Sequence, residues 1–421
     1  MKMYFLVLVM FSFLTLSSCR IASTSEENVP TPTQAYLSSQ TLPLATPSLP
    51  IMQTITSPKP PLSKQCVKVS DYPSGGDSLS GKLLLDPSQT LSGNYFLDMK
   101  TGKKDPLSQN EGDLAINFNV SPKGDWLAYI GSEESIQGDE SLVVQAVDGH
   151  KTLHYPVNYD EWQIIAYWLN NETLVLWNHA NPLDNVILFN PFLNTKEIKT
   201  ANYPDLIYED LGWDFSWPSV TIYDPSLQYL VYLAKGDNEG DLIGNQKLIL
   251  WDLKNDRAIT EVDDFGYTLA RPLWKSDGSG VVYVKSVAGF NPPEKKDDFF
   301  LLSVDGTIKQ LTELSDYFSY ARIYSTSWSP DENLIAFELV TNQNGERKLL
   351  ILNMSTLEII DLCLSPQQFT PMIWSPDSRY LAYSEELTND SSQTVLVDLV
   401  DRTAFVVAEE VLPEGWMPST K

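Results

Sequence analysis

The sequence is poor in the side chains that metal and nucleophilic chemistry need. It has 3 cysteines and 3 histidines in 421 residues, and it contains no Gly-x-Ser-x-Gly motif. His150 and His154 flank a predicted hairpin turn, and on one strand face they would lie about 13 Å apart, too far to share a metal ion. His179 lies in a separate loop. The sequence therefore predicts no catalytic residue, no metal site and no cofactor.

Positive charge is also scarce. The chain has 29 Lys and Arg against 55 Asp and Glu, which gives a formal net charge of -26. A surface of this charge repels phosphate backbones, so nucleic acid is excluded as a partner. The charge favours a neutral or cationic partner instead.

Long apolar runs are missing except at the start of the chain. Lys2 precedes a largely apolar run of 14 residues, Met3 to Leu16, and the run ends in the small residues before Cys19. Because a membrane span needs about 20 apolar residues, this stretch predicts a secretion signal, residues 1–19. Its ending, LSSC, resembles the bacterial lipobox, in which the cysteine is lipidated; the alternative is an ordinary cleaved signal. The resemblance implies an exported protein that Cys19 anchors to the bacterial cell membrane on its extracytoplasmic side, with no spanning helix.

Residues 20–65 change in composition. Of these 46 residues, 8 are Pro and 14 are Ser or Thr. Such a segment buries too little apolar surface to offset the entropy lost on ordering. The sequence predicts a disordered tether that separates the anchor from a folded domain at 66–421.

Cys66 and Cys363 are the remaining cysteines. In an exported protein they are candidates for one disulfide. The alternative of two separate thiols stays open, because the sequence does not place them within bonding distance.

The domain at 66–421 is repetitive. Seven uninterrupted apolar segments recur at spacings of 44 to 56 residues, and each is followed by a second apolar strand and a polar turn. Continuous β-branched and aromatic runs of this length indicate strands that are covered on both faces. The seven segments are GKLLL (81–85), DWLAYI (125–130), ETLVLW (172–177), QYLVYL (228–233), SGVVYV (279–284), NLIAFE (333–338) and RYLAYS (379–384).

Two of these segments follow the motif Trp-Ser-Pro-Asp, at Trp328 and Trp374. The proline presets φ for a turn, and the aspartate accepts hydrogen bonds from backbone amides as the chain reverses. The Trp is expected to end an inner strand and to wedge between adjacent sheets. These copies, together with VSPKGDWLAY at 120–129, resemble the repeats of TolB-like propellers within the wider WD-like group. The resemblance covers residues 80–419 and informs about fold rather than function.

Four strands per repeat and seven repeats predict an all-β fold, a single β-propeller with seven four-stranded blades. The first repeat has no inner strand before it, whereas Trp416-Met417-Pro418-Ser419 looks like the end of one. The C-terminal strand is therefore predicted to complete blade 1 and close the ring. A frayed C-terminal tail is the alternative.

Aromatic residues recur beside carboxylates in the connections from one blade to the next. Aromatic faces and carboxylate acceptors suit sugar rings and cationic peptide groups. The longest such connection, 202–218, also holds Trp217, which is interpreted as an inner-strand wedge. The alternative is that these aromatics pack between blades while the acids are solvated. The predicted ligand-binding residues are Trp213, Asp214, Tyr208, Asp160, Trp162 and Tyr317.

Two classes of function remain open from the sequence. The favoured one is a non-catalytic binding or scaffold module at the cell envelope, with a protein, peptide or carbohydrate ligand on the loop face. The alternative is a carbohydrate-active or other hydrolytic enzyme that uses paired carboxylates in the central funnel. A funnel filled by side chains would favour binding, and two carboxylates facing each other across it would favour catalysis.

Overall fold

The protein is described by a computed structural model, and its folded part is a seven-bladed β-propeller. The predicted fold class is therefore confirmed. The structure describes residues 61–70, 79–87, 93–108, 114–132, 140–156, 163–178, 185–200, 203–206, 221–236, 246–263, 265, 270–286, 296–342, 344–366, 371–386 and 392–419.

Every blade is a sheet of four antiparallel strands, and the strands of each blade are named from the inner strand outward. Blade 1 is formed by β30 (Val411–Met417), β3 (Lys82–Pro87), β4 (Tyr95–Asp98) and β5 (Lys104–Pro106). Blade 2 is formed by β6 (Leu114–Val120), β7 (Trp126–Ser132), β8 (Glu140–Ala146) and β9 (Thr152–Pro156). Blade 3 is formed by β10 (Gln163–Trp168), β11 (Leu174–Asn178), β12 (Asn185–Asn190) and β13 (Thr195–Thr200).

The next two blades follow the same order. Blade 4 is formed by β14 (Thr221–Tyr223), β15 (Tyr229–Lys235), β16 (Gln246–Asp252) and β17 (Arg257–Val262). Blade 5 is formed by β18 (Leu273–Trp274), β19 (Gly280–Ser286), β20 (Asp297–Ser303) and β21 (Ile308–Gln310). A 3-10 turn, Leu314–Asp316, follows blade 5.

Blades 6 and 7 each carry a fifth strand on the outside. Blade 6 is formed by β22 (Arg322–Trp328), β23 (Leu334–Val340), β24 (Arg347–Asn353) and β25 (Ile359–Leu364), with β1 (Leu62–Lys64) parallel to β25. Blade 7 is formed by β26 (Met372–Trp374), β27 (Tyr380–Glu386), β28 (Ser392–Asp398) and β29 (Thr403–Glu409), with β2 (Lys68–Val69) parallel to β29.

The second and third strands of each blade build the core. In β19 and β23 all but one residue is buried, because each sheet packs against a neighbouring blade on both faces. The seven apolar segments of the sequence are these second strands, which explains why they form continuous hydrophobic runs. The outer strand β13 is by contrast exposed over most of its length and rich in lysine, as suits an edge that must not pair with another chain.

The C-terminal strand closes the ring, as predicted. β30 pairs with β3 in antiparallel register, with Leu83 opposite Trp416 and Leu84 opposite Gly415. The indole of Trp416 is buried and stacks against Tyr380 of blade 7. The end of the chain therefore supplies the inner strand of the blade that the first repeat begins.

The Trp-Ser-Pro-Asp turns connect neighbouring blades. Ser329 Oγ donates to the Asp331 carboxylate at 2.6 Å, and the amide of Leu334 donates back to Ser329 Oγ at 2.9 Å. The Trp374 indole donates to the carbonyl of Ser327 in blade 6 at 3.1 Å. The motif thus fixes both the reversal of the chain and the contact between blades.

Blade 4 has a buried aromatic residue at the end of its inner strand. The strand β14 ends at Tyr223, which directly precedes Asp224 as Trp328 directly precedes its own turn. Tyr223 is buried, and the Asp224 carboxylate accepts from the amides of Gln228 and Tyr229. Trp217, interpreted from the sequence as a wedge, lies outside the described residues, and that role stays a prediction.

The chain reaches the ring along the outside of blades 6 and 7. Residues 61–70, called the strap, form β1 and β2, and a disulfide joins Cys66 of the strap to Cys363 of β25. Leu62–Lys64 falls within the range that composition assigned to the tether. The local Pro, Ser and Lys content conceals this strand, because its stability comes from pairing with β25 rather than from its own sequence.

Candidate functional site

The blades present two different faces. The turns after the inner strand and after the third strand lie on one face, the turn face. The connections between second and third strands, and those from one blade to the next, lie on the opposite loop face. The internal gaps between the described ranges fall in loop-face connections, apart from 71–78.

Most of the predicted ligand-binding residues lie outside the described residues. Tyr208, Trp213 and Asp214 belong to the connection between blades 3 and 4, and Asp160 and Trp162 belong to that between blades 2 and 3. The predicted lipidation site, Cys19, also lies outside them. Their roles stay predictions.

Tyr317 is the predicted ligand-binding residue that the structure describes. It lies just after the 3-10 turn in the connection between blades 5 and 6. Its half-buried ring packs against the apolar cluster between those blades, next to Phe318. Tyr317 thus contributes to packing, and a role in ligand binding stays a prediction for it.

Two adjacent buried carboxyls hold this connection. Asp298 accepts hydrogen bonds from Thr312 Oγ1 at 2.8 Å and from the Leu314 amide at 2.7 Å, and Asp297 accepts from the Ile323 amide at 3.0 Å. Burial, with the neighbouring charge of Asp297, raises the pKa of Asp298 to about 7. These buried hydrogen bonds therefore hold the chain in place between blades 5 and 6.

A cationic side chain bridges two blades that are not neighbours. The guanidinium of Arg271, directly before the inner strand of blade 5, lies 4.0 Å from the centroid of the Tyr167 ring in the inner strand of blade 3. The Tyr167 hydroxyl accepts from the backbone amide of Tyr223 in blade 4 at 3.0 Å. Burial lowers the pKa of Arg271 and raises that of Tyr167. This contact joins the inner strand of blade 3 to the start of blade 5, and the Tyr167 hydrogen bond ties blade 4 to the same group.

A second arginine cluster lies at the loop-face end of blade 6. The guanidiniums of Arg322 and Arg347 lie 4.7 Å and 5.5 Å from the centroid of the Tyr324 ring. Arg347 forms an ion pair with Glu338, whose side chain is 1% exposed. Tyr324 sits in a bulge of β22, where the register with β23 shifts between Ile323 and Thr326. Bulges of this kind redirect side chains at functional rims.

Blade 1 carries two carboxyls with raised pKa values. Glu414 lies in β30 where the register with β3 shifts, and burial followed by the charge of Asp86 raises its pKa to about 7. Burial raises the pKa of Asp86 to about 6. The hydrogen bond that the side-chain amide of Asn94 donates to Asp86 at 2.8 Å acts in the opposite direction and lowers this pKa. Both groups lie in adjacent strands of one blade, so they do not face each other across the channel.

Sequence reasoning missed these residues because it searched for aromatics beside carboxylates. The chain has seven arginines, and three of them stand at the loop-face ends of strands in blades 5 and 6: Arg271, Arg322 and Arg347. The available signal was an arginine at the start of an inner strand in a strongly acidic protein. No such signal marks Glu414, whose burial depends on the C-terminal strand joining blade 1.

Within the described ranges, no group of three or more His, Cys, Asp or Glu side chains is arranged to hold a metal ion. His150 and His154 are both exposed. In the same part of the chain, no helix has the length and apolar character needed to cross a membrane.

The sequence matches no protein-family profile and no curated protein. Solved structures do resemble the fold. An oligogalacturonate lyase from Vibrio parahaemolyticus is 11% identical with a TM-score of 0.53, covering 78% of this chain and 86% of its own. TolB from Acinetobacter baumannii is 12% identical with a TM-score of 0.44, covering 78% of this chain and 79% of its own.

A third similar structure is the Cps50 (Swd1) β-propeller domain of Myceliophteria thermophila. It is 13% identical with a TM-score of 0.45, and the match covers 85% of this chain and 99% of that domain. The predicted TolB-like and WD-like architecture is therefore found among the similar structures. At these identities the similarity concerns the propeller fold alone.

Proposed function

We propose that this protein is a non-catalytic binding or scaffold module of the bacterial cell envelope. The observation that carries the proposal is the arrangement of arginine and tyrosine groups at the loop-face ends of the inner strands of blades 5 and 6. Guanidinium and aromatic groups held together in this way suit the binding of a partner on the loop face. One cluster on that face combines two guanidinium groups with an aromatic ring, those of Arg322, Arg347 and Tyr324.

The proposed location rests on the start of the chain and on one covalent bond. The signal-like residues 1–19, the lipobox-like ending at Cys19 and the Pro-rich segment after it favour export and lipid anchoring. The disulfide between Cys66 and Cys363 suits an oxidising compartment outside the cytoplasm.

The proposed ligand is a protein, a peptide or a carbohydrate bound on the loop face. Its recognition would combine the described arginine and tyrosine groups with the predicted residues Trp213 and Asp214. A glycan and peptide array probed with residues 20–421 tests this. Binding that Trp213→Ala weakens, while the unfolding curve stays unchanged, supports the proposal.

A stability control accompanies that variant. Tyr223→Ala removes a buried ring and should lower the free energy of unfolding by about 3–5 kcal/mol. If Trp213→Ala unfolds the protein as Tyr223→Ala does, Trp213 belongs to the core and the binding surface loses that residue. If no array feature is bound, the binding proposal fails.

Lipid anchoring has its own test. Cys19→Ser should move the protein out of the membrane fraction, or leave the unprocessed precursor. Unchanged processing and distribution would remove the anchor from the proposal.

A hydrolytic enzyme is the second candidate, and it would use the two carboxyls of blade 1 rather than a pair that faces across the channel. Glu414 with a pKa of about 7 and Asp86 with a pKa of about 6 are suited to hold and release a proton near neutral pH. Should the array identify a glycan, incubation and product analysis would test for cleavage. Activity that Glu414→Gln abolishes would favour the enzyme over the binding module.

A further inference from the structure

Backbone pairing attaches the strap to the ring over a short length. The amides of Gln65 and Val67 donate to carbonyls of β25 at 2.9 Å and 3.1 Å, and those of Lys68 and Ser70 donate to the carbonyls of Arg402 and Ala404 at 2.9 Å and 2.8 Å. Its strands β1 and β2 contain three and two residues. Strands this short are marginal without further support.

The strap also buries little apolar surface. Leu62 packs against the cluster between blades 5 and 6, and Val67 packs against the cluster between blades 6 and 7. Val69, however, is 83% exposed, and the lysines are exposed to solvent. Two half-buried apolar side chains contribute little free energy, and the entropy lost in ordering ten residues largely offsets it. The disulfide is therefore the main attachment of the strap.

The disulfide is accessible on the surface. Cys66 and Cys363 are both exposed, and Cys363 lies in a bulge of β25 with φ of 59°, in the left-handed region. The Asp361 carboxylate accepts from the Cys363 amide at 2.8 Å and so holds this bulge. A dithiol in solution can reach this bond without any opening of the propeller core.

The ring does not depend on the strap. Blades 6 and 7 have four strands of their own, the same number as the other five blades. Ring closure depends on β30 and β3, in blade 1. Loss of the strap would leave seven complete blades.

We propose that the Cys66–Cys363 disulfide is a redox latch: an extracytoplasmic dithiol reductant opens it and releases the strap while the propeller stays folded. A thiolate of the reductant attacks one sulfur, the S–S bond breaks, and the second thiol resolves the mixed disulfide. The reductant becomes a disulfide, and Cys66 and Cys363 each take up one electron and one proton.

Release has two physical consequences. The outer edges of β25 and β29 lose their parallel partners, which uncovers backbone groups able to accept another extended strand. The ten residues of the strap are also freed from the ring, which increases the reach of the ring from the proposed lipid anchor.

Hydrogen exchange on the mature chain tests the latch. In the oxidised protein the four strap amides of Gln65, Val67, Lys68 and Ser70 should be protected. After native treatment with dithiothreitol their protection should fall at least tenfold. The amides that pair β3 with β30 should keep theirs, because the ring remains closed.

The double variant Cys66→Ser/Cys363→Ser should show the fast strap exchange without reductant and should not respond to dithiothreitol. Three results would overturn the latch: a disulfide that native dithiothreitol fails to reduce, strap amides that stay protected after reduction, or loss of protection in β3 and β30 together with the strap.

Discussion

The guanidinium of Arg271 in blade 5 lies 4.0 Å from the ring centroid of Tyr167 in blade 3, so one cation connects two blades across the intervening one. The Tyr167 hydroxyl also accepts from the backbone amide of Tyr223, which lies in the intervening blade 4. Burial of the guanidinium in this contact lowers the pKa of Arg271, because the charged form is poorly solvated there. A cation–π contact in such surroundings is worth more than one at an exposed site.

Arg271→Ala should therefore lower the free energy of unfolding by about 2 kcal/mol, measured by urea denaturation. Arg257→Ala is the matched control, because Arg257 is exposed on the outer strand of blade 4. It should change stability by less than about 0.5 kcal/mol. Equal effects of the two variants would mean that the Arg271–Tyr167 contact contributes nothing specific.

Removal of the C-terminal strand should open the ring. Deletion of residues 413–421 exposes the edge of β3 and removes the buried Trp416, so the melting temperature should fall by several degrees. Deletion of 420–421 alone is the control and should leave the melt unchanged. An unaltered melt after the longer deletion would contradict closure by β30.

The protein should carry no free thiol at Cys66 or Cys363, because the two form a disulfide. Mass spectrometry without reduction should give a mass lower by two hydrogens than after reduction, and alkylation should label neither residue. Quantitative labelling of both cysteines in the protein as secreted would show that the bond does not form in the cell.

Stability should rise as the pH falls from about 8 to about 5. Asp298, Glu414 and Asp86 have folded-state pKa values of about 7, 7 and 6, above their ordinary values. Each therefore favours folding while protonated, and that contribution is lost as the pH rises through the folded pKa. Thermal melts across this range measure the effect.

Asp298→Asn separates the contribution of one carboxyl. The amide oxygen of Asn can still accept from Thr312 and Leu314, but it has no charge to desolvate. The variant should melt a few degrees higher than the parent at pH 8 and about equally at pH 5. A parallel shift at both pH values would assign the effect to packing rather than to ionisation.

The repeats could be recognised because both faces of each second strand are buried. The position that Ile335 holds in blade 6 and Leu381 holds in blade 7 has to be apolar in every blade. The spacing of the blades therefore appears directly in the sequence. Closure by Trp416 was predictable for a related reason, since the first repeat lacked an inner strand that the last residues could supply.

Contacts between distant parts of the chain were not predictable in this way. The sequence marks Arg271 as an arginine at the start of an inner strand but does not show that it contacts Tyr167, and Leu62–Lys64 forms a strand only beside β25. The strap has no local pattern that differs from that of a solvated loop. Pairing partners, rather than intrinsic propensity, determine its structure.

The position of the strap also determines the order in which the molecule can assemble. Its cysteine bonds with one 297 residues further along the chain, and β3 gains its inner neighbour only when β30 has been made. The hairpins of blades 2 to 5 consist of neighbouring segments and can form as soon as they are made, with little loop entropy to overcome. The strap precedes all seven blades in the chain but is among the last parts to become fixed, and Cys66 has no partner until blade 6 exists.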